Sequence, residues 1–209
     1  EEAQGAKLVR EAIDEVSGSD TVETLVELAR RLCIHSWQNE LKSVMDHARA
    51  NDIAPERFFG FAERNRKDFL AYFDPPRDED LDAALVRQIE RALPRLKTGG
   101  KGTKKTAEYI DVAQETLRAL RAKRSTWAQW VKLSKAEPEV RLAAVGQSIA
   151  EAAARYVAHP RLHADITQYL ETIFALAARA LDAYARRKRE LGVIDFVDQE
   201  HLFLKLLEQ

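Results

Sequence analysis

Between Thr116 and Ala136 the chain carries no acidic residue. It holds Arg118, Arg121, Lys123, Arg124, Lys132 and Lys135, with Trp127 and Trp130 among them. Guanidinium and ammonium groups neutralise phosphates and release counterions, and unpaired bases stack on indole rings, so this tract suits a nucleic acid. Just upstream, the run Lys97-Thr98-Gly99-Gly100-Lys101-Gly102-Thr103-Lys104-Lys105 could lie along a duplex backbone. Lys97, Lys101, Lys104, Lys105, Arg121, Lys123, Arg124 and Trp127 are therefore the candidate DNA contacts. The same pattern also fits a solvated basic face with both indoles in the core, where large aromatics at helical spacing usually lie.

Other chemistry finds no complete set of residues. A phosphate-cradling loop needs G-x-x-x-x-G-K-[ST] between a strand and a helix, and Gly99 to Lys105 has neither the spacing nor a preceding strand. His159 and His163 stand four apart, but Pro160 intervenes and no H-E-x-x-H arrangement exists, so both read as surface or helix-terminus histidines. Cys33 is the single cysteine, which excludes disulfide frameworks and Cys-rich zinc sites; its apolar surroundings predict a buried, inert thiol. Asp78, Glu79, Asp80 and Asp82 crowd a helix start, where they favour the positive end of the helix dipole. No catalytic residue and no metal ligand is assigned.

The net charge of −1 conceals an asymmetry. Residues 1–92 carry 13 basic and 20 acidic side chains, residues 93–135 carry 11 and 3, and residues 136–209 carry 9 and 11. A basic middle flanked by acidic ends points to a polyanionic partner. With 209 residues and 45% hydrophobic content, one large or two small domains can bury a core. No apolar run approaches the roughly 20 residues that span a bilayer, and no signal-peptide pattern occurs, so the expected setting is cytoplasmic, without membrane contact.

The elements that must position these residues are helices. Apolar residues recur at helical spacing in 5–16, and Ser17-Gly18-Ser19 breaks that run before a second helix capped by Asp20 and Glu23, with Val22, Leu25, Val26, Ala29, Leu32 and Cys33 facing inward. Ser36 starts a third helix, and Pro55-Glu56 suits the first turn of a fourth, rich in phenylalanine and stopped by Asp74-Pro75-Pro76. A helix over 78–93, the basic tract, a helix over 106–122, the Trp127–Trp130–Leu133 segment and an Ala-rich stretch over 139–157 follow. After His159-Pro160 a long helix over 161–191 presents Leu162, Ile166, Tyr169, Ile173, Ala177, Ala180 and Tyr184 on one stripe. Strand signals are nearly absent. The expected fold is all-α, with a helical half over 1–96, a flexible basic loop over 97–105, a second helical half over 106–191 and a closing segment over 192–209. The chain starts at Glu1 without an initiator Met and stops after Leu206, Leu207 and Glu208 without a helix terminator, as an internal piece of a longer protein would.

The closing segment carries the sharpest pattern. From Tyr184 through Lys188, a Gly192 turn and Asp195-Phe196-Val197-Asp198, it resembles the Y-x-x-x-K helix, Gly turn and D-F-x-D segment called motif Ic in the UvrD/Rep/PcrA and AddA/RecB helicases. Gln199 departs from that pattern, where the family usually has an aliphatic residue. Gly192 would end one helix and Asp195 cap the next, with Asp198 in the same turn and Phe196 anchored in the core. A second stretch, Asn39 to Ser43 and then Ile53-Ala54-Pro55-Glu56-Arg57-Phe58, is similar to a helix, turn and hydrophobic-x-Pro-Glu-x-Phe step early in that family's accessory domain 1B. Their order and distance fit a chain between motifs Ib and II. The basic tract and the Trp127/Trp130 region are closer to the AddA/RecB-like members.

The resemblance implies a DNA-contacting accessory region of an ATP-dependent DNA helicase acting in repair or recombination. It implies ATP and magnesium as cofactors of the parent enzyme, held outside this chain, and an AddA/RecB-like parent could add an exonuclease. The implied partners are DNA, as duplex or single-strand/duplex junction, and the remaining helicase domains. The alternative is an all-α protein-interaction module without DNA affinity.

Overall fold

The computed structural model describes residues 2–99 and 103–207. It is all-α, with no strand among the described residues. The helices are α1 (Glu2–Val16), α2 (Ser19–Leu32), α3 (Trp37–Ala50), α4 (Phe58–Leu70), α5 (Leu81–Gly99), α6 (Lys104–Arg121), α7 (Trp127–Lys135), α8 (Ala143–Ala154), α9 (Pro160–Leu191) and α10 (Phe196–Leu207). Two compact units share them: one comprises Glu1–Ala29, His35–Phe69 and Thr167–Gln209, the other Arg30–Ile34 and Leu70–Ile166. Of the tract over 97–105, expected to divide the chain, residues 97–99 and 103–105 fall within the second unit, and residues 100–102 lie outside the described residues.

In the first unit, α1 buries Leu8, Val9, Ala12 and Val16, one face at helical spacing. Ser36 caps α3 by accepting the Asn39 N–H at 3.2 Å, and Trp37, Leu41, Met45 and Ala48 go inward. The chain leaves α3 through Asp52 (φ 48°), with the Ile53 N–H donating to the Ala48 carbonyl at 2.8 Å. Pro55 opens a 3-10 turn, where its missing donor costs nothing, and α4 follows. Phe58 meets Phe174 edge-on, with centroids 6.0 Å apart. From Tyr169 onward, every α9 position of the expected stripe is buried. Val26 was expected inside but is 52% exposed, because the buried face of α2 runs through Leu25, Leu28 and Ala29 instead.

In the second unit, α5 packs against α6 and α8, and α7 against α8. Asp80 caps α5 by accepting the Ala83 N–H at 2.9 Å. The helix continues past Pro94 to Gly99, beyond its expected end, because Leu96 extends the stripe of Leu81, Leu85, Ile89 and Ala92 into the core. Thr103 caps α6, so Lys97 and Lys104 both lie in helices rather than in a loop. Close packing is seen at Gly146, whose carbonyl accepts the Tyr109 hydroxyl at 3.2 Å. A Cβ there would stand 2.5 Å from the Pro138 ring. No helix is long and apolar enough among the described residues to cross a membrane.

Candidate nucleic-acid interface

The basic residues after α6 sit on a tightly closed turn. The Lys123 N–H donates to the Leu120 carbonyl at 2.9 Å and the Arg124 N–H to the Ala119 carbonyl at 2.8 Å. This closure places Lys123 in the left-handed region, at φ 54°. Both side chains are exposed. Arg30, from the end of α2, donates its Nη1 to the Arg124 carbonyl at 2.8 Å. Arg121 is exposed too, but its guanidinium is bound to Glu90 at 2.6 Å. Lys97, Lys104 and Lys105 are exposed, and Lys104 lies 3.9 Å from Glu108. Lys101 lies outside the described residues. The described candidate lysines and arginines are thus on the surface of one unit, with Arg30 beside Arg124.

Trp127 does not belong with them. It is 6% exposed, and its Nε1 donates to Asp165 Oδ2 at 2.9 Å. Asp165, itself buried, is gripped by Arg31 through Nε at 3.0 Å and Nη2 at 2.7 Å. Arg161 covers the Trp127 ring at 4.9 Å while bonding Asp82 and the buried Ser125 hydroxyl. The indole is therefore a core strut, and its face is closed to a base. His159, read as a surface or helix-terminus histidine, stands at the start of α9, where its Nδ1 accepts the Arg161 N–H at 3.1 Å, but it is buried between the Trp127 and Trp130 rings, with centroids 5.1 and 5.2 Å away. Cys33, expected buried, is exposed just beyond α2 at φ 60°. Among the described residues no three His, Cys, Asp or Glu side chains could hold a metal ion together.

The closing segment, from Tyr184 to Asp198, condenses around Asp195, in the other unit. Its Oδ2 accepts from Tyr184 Oη at 2.6 Å, Arg49 Nη2 at 2.6 Å and Lys188 Nζ at 3.1 Å. Its Oδ1 accepts the Asp198 N–H at 3.0 Å, and Asp198 Oδ2 in turn accepts the Asp195 N–H at 2.9 Å. Lys188 also binds Asp198. This reciprocal pair is a capping box that starts α10. Burial pushes the Asp195 carboxyl up, but the bonds from Tyr184, Asp198 and Lys188 and the charge of Arg49 prevail, holding it well below the usual carboxylate range. Burial, then the bond to Asp195, pushes the Tyr184 phenol above its ordinary value. Gly192, at φ 64°, ends α9, and the Val193 N–H donates to the Lys188 carbonyl at 3.1 Å.

Phe196 departs from expectation. It is 71% exposed rather than anchored in the core. Polar caps, not apolar burial, hold the start of α10, and none of the described side chains of that helix is buried. Sequence reasoning missed Arg30 and Arg49, whose partners lie 94 and 146 residues away; no local spacing marks such pairs. No family model, no curated protein and no solved structure matches this chain.

Proposed function

We propose that this chain is the DNA-contacting accessory region of a UvrD/Rep-type ATP-dependent DNA helicase, without ATP hydrolysis of its own. The observation that carries the reading is the meeting of Tyr184, Lys188, Asp195 and Asp198 in one hydrogen-bonded cluster. These are the residues that carry the motif Ic resemblance, and the fold brings all four into one cluster. The exposed cations of the second unit supply the DNA contact. Their action is electrostatic: each phosphate neutralised releases a counterion. The parent enzyme's ATP and magnesium have no assigned residues here, since the tract from Gly99 to Lys105 lacks phosphate-loop spacing.

Titration of the protein into fluorescein-labelled forked DNA, followed by anisotropy across a salt series, tests the reading. Binding should weaken steeply with salt, and the triple variant K97E/K104E/K105E should bind more weakly with a shallower slope, by about 0.9 per lost phosphate contact. Salt-independent binding, or none, would sink it. The exposed Phe203, Leu204, Leu206 and Leu207 of α10 favour a second reading, a protein-interaction module. On that reading the triple variant changes nothing.

A further inference from the structure

α3, α6 and α9 end in the same backbone closure, with the residue beyond the helix cap at positive φ. At α9 that residue is Gly192, which adopts the conformation freely, and at α3 it is Asp52, a short polar residue that tolerates it. At α6 it is Lys123, a long side chain without that tolerance; Cys33, beyond α2 at φ 60°, lacks it too. Strain of this kind persists where the surroundings over-determine it, and it concentrates at functional positions.

The surroundings of Lys123 do over-determine it. Arg30 holds the Arg124 carbonyl from outside the turn at 2.8 Å. Arg161 donates to the buried Ser125 hydroxyl at 3.2 Å. The Thr126 N–H donates to Gln129 Oε1 at 3.0 Å, starting α7. Trp127 is then tied to Asp165. Every residue from Lys123 to Trp127 thus has a backbone or side-chain bond that fixes it, while the Lys123 and Arg124 side chains remain in solvent. The C-terminus of α6 contributes roughly half a negative charge. Lys123, Arg124 and Arg30 bring three cationic side chains to it.

We propose that the 122–126 turn is a preformed contact for a nucleic-acid phosphodiester backbone, and that Arg30 is its third cation and holds its carbonyl in place. The inference rests on the DNA-contact reading and deepens it by naming where the contact is and which residues position it. Lys123 and Arg124 touch phosphate; Ser125, through Arg161, is a positioning residue. The contact reads backbone and not base, because the neighbouring indole is buried.

The test is anisotropy of a fluorescein-labelled blunt DNA duplex with the full chain and the variants K123G, R30Q and S125A. Lys123→Gly relieves the positive φ while removing one charge, so the fold is kept or stabilised and the salt slope falls by about 0.9. Arg30→Gln keeps a donor for the Arg124 carbonyl and loses the charge, giving a similar fall. Ser125→Ala keeps every charge and so lowers affinity with the slope unchanged. A wild-type protein that binds with a steep slope, unaltered in K123G and R30Q, overturns the inference and leaves the DNA reading standing. A wild-type protein with no salt-dependent binding overturns both.

Discussion

Asp195 gathers a phenol, a guanidinium, an ammonium and a backbone N–H on one carboxyl, and its worth lies in what its removal strands. Asp195→Asn keeps the shape but removes the charge that Arg49 and Lys188 face. Leaving such donors poorly paired costs about 1–3 kcal/mol, which a chemical denaturation midpoint will register. Trp127 supports a different test. Trp37, Trp127 and Trp130, all the tryptophans of the chain, are buried. Adding single-stranded DNA should therefore leave their fluorescence unquenched, and strong quenching would restore base stacking. At this scale the sequence was informative about local partners only. The Asp195–Asp198 pair is readable because its members are three residues apart. The grip of Arg49 on Asp195, and of Arg31 on Asp165, depends on which helices the fold brings together. The fate of Trp127 turned on Asp165, 38 residues away.

Helices announced themselves through periodicity and caps. Ser36, Pro55, Gly192 and Asp195 each stand at the boundary where their chemistry is useful, and the α9 stripe is buried at every expected position. Boundaries that depend on packing were not readable: α5 runs through Pro94 because Leu96 has a place in the core. Phe196 was misplaced for the converse reason, since a helix held by polar caps need not bury its first apolar residue. Two substitutions separate these forces. Ser36→Ala removes the acceptor for the Asn39 N–H and should destabilise by about 1 kcal/mol. Gly146→Ala drives a methyl into the rigid Pro138 ring, at 2.5 Å, and should cost about 1–3 kcal/mol. Both are measured by thermal unfolding, and a neutral Gly146→Ala would mean that α8 shifts freely against Pro138.

For the whole molecule, the buried ionisable groups define a plateau of stability against pH. The depressed Asp195 carboxyl binds its proton less tightly in the folded chain, so its contribution is complete above about pH 4. It fades only as pH falls toward the much lower folded value. Burial pushes the Tyr109 and Tyr169 phenols up to about 12. Their contribution is whole below the ordinary phenol value of about 10 and drains away as pH climbs to about 12. Ultraviolet titration should show these phenols ionising late, together with loss of helical circular dichroism; ionisation near pH 10 with helices intact would contradict the burial. The division into two units has a consequence for synthesis. The second unit is nearly continuous in sequence, whereas the first draws on residues on both sides of it. A ribosome delivers the chain from its N-terminus, so helices α1, α3 and α4 emerge early and must wait for Thr167 onward before their unit can close. Through that interval Phe58 lacks Phe174 beside it, and nascent chains halted before Thr167 should recruit chaperones that release once the long helix has been made.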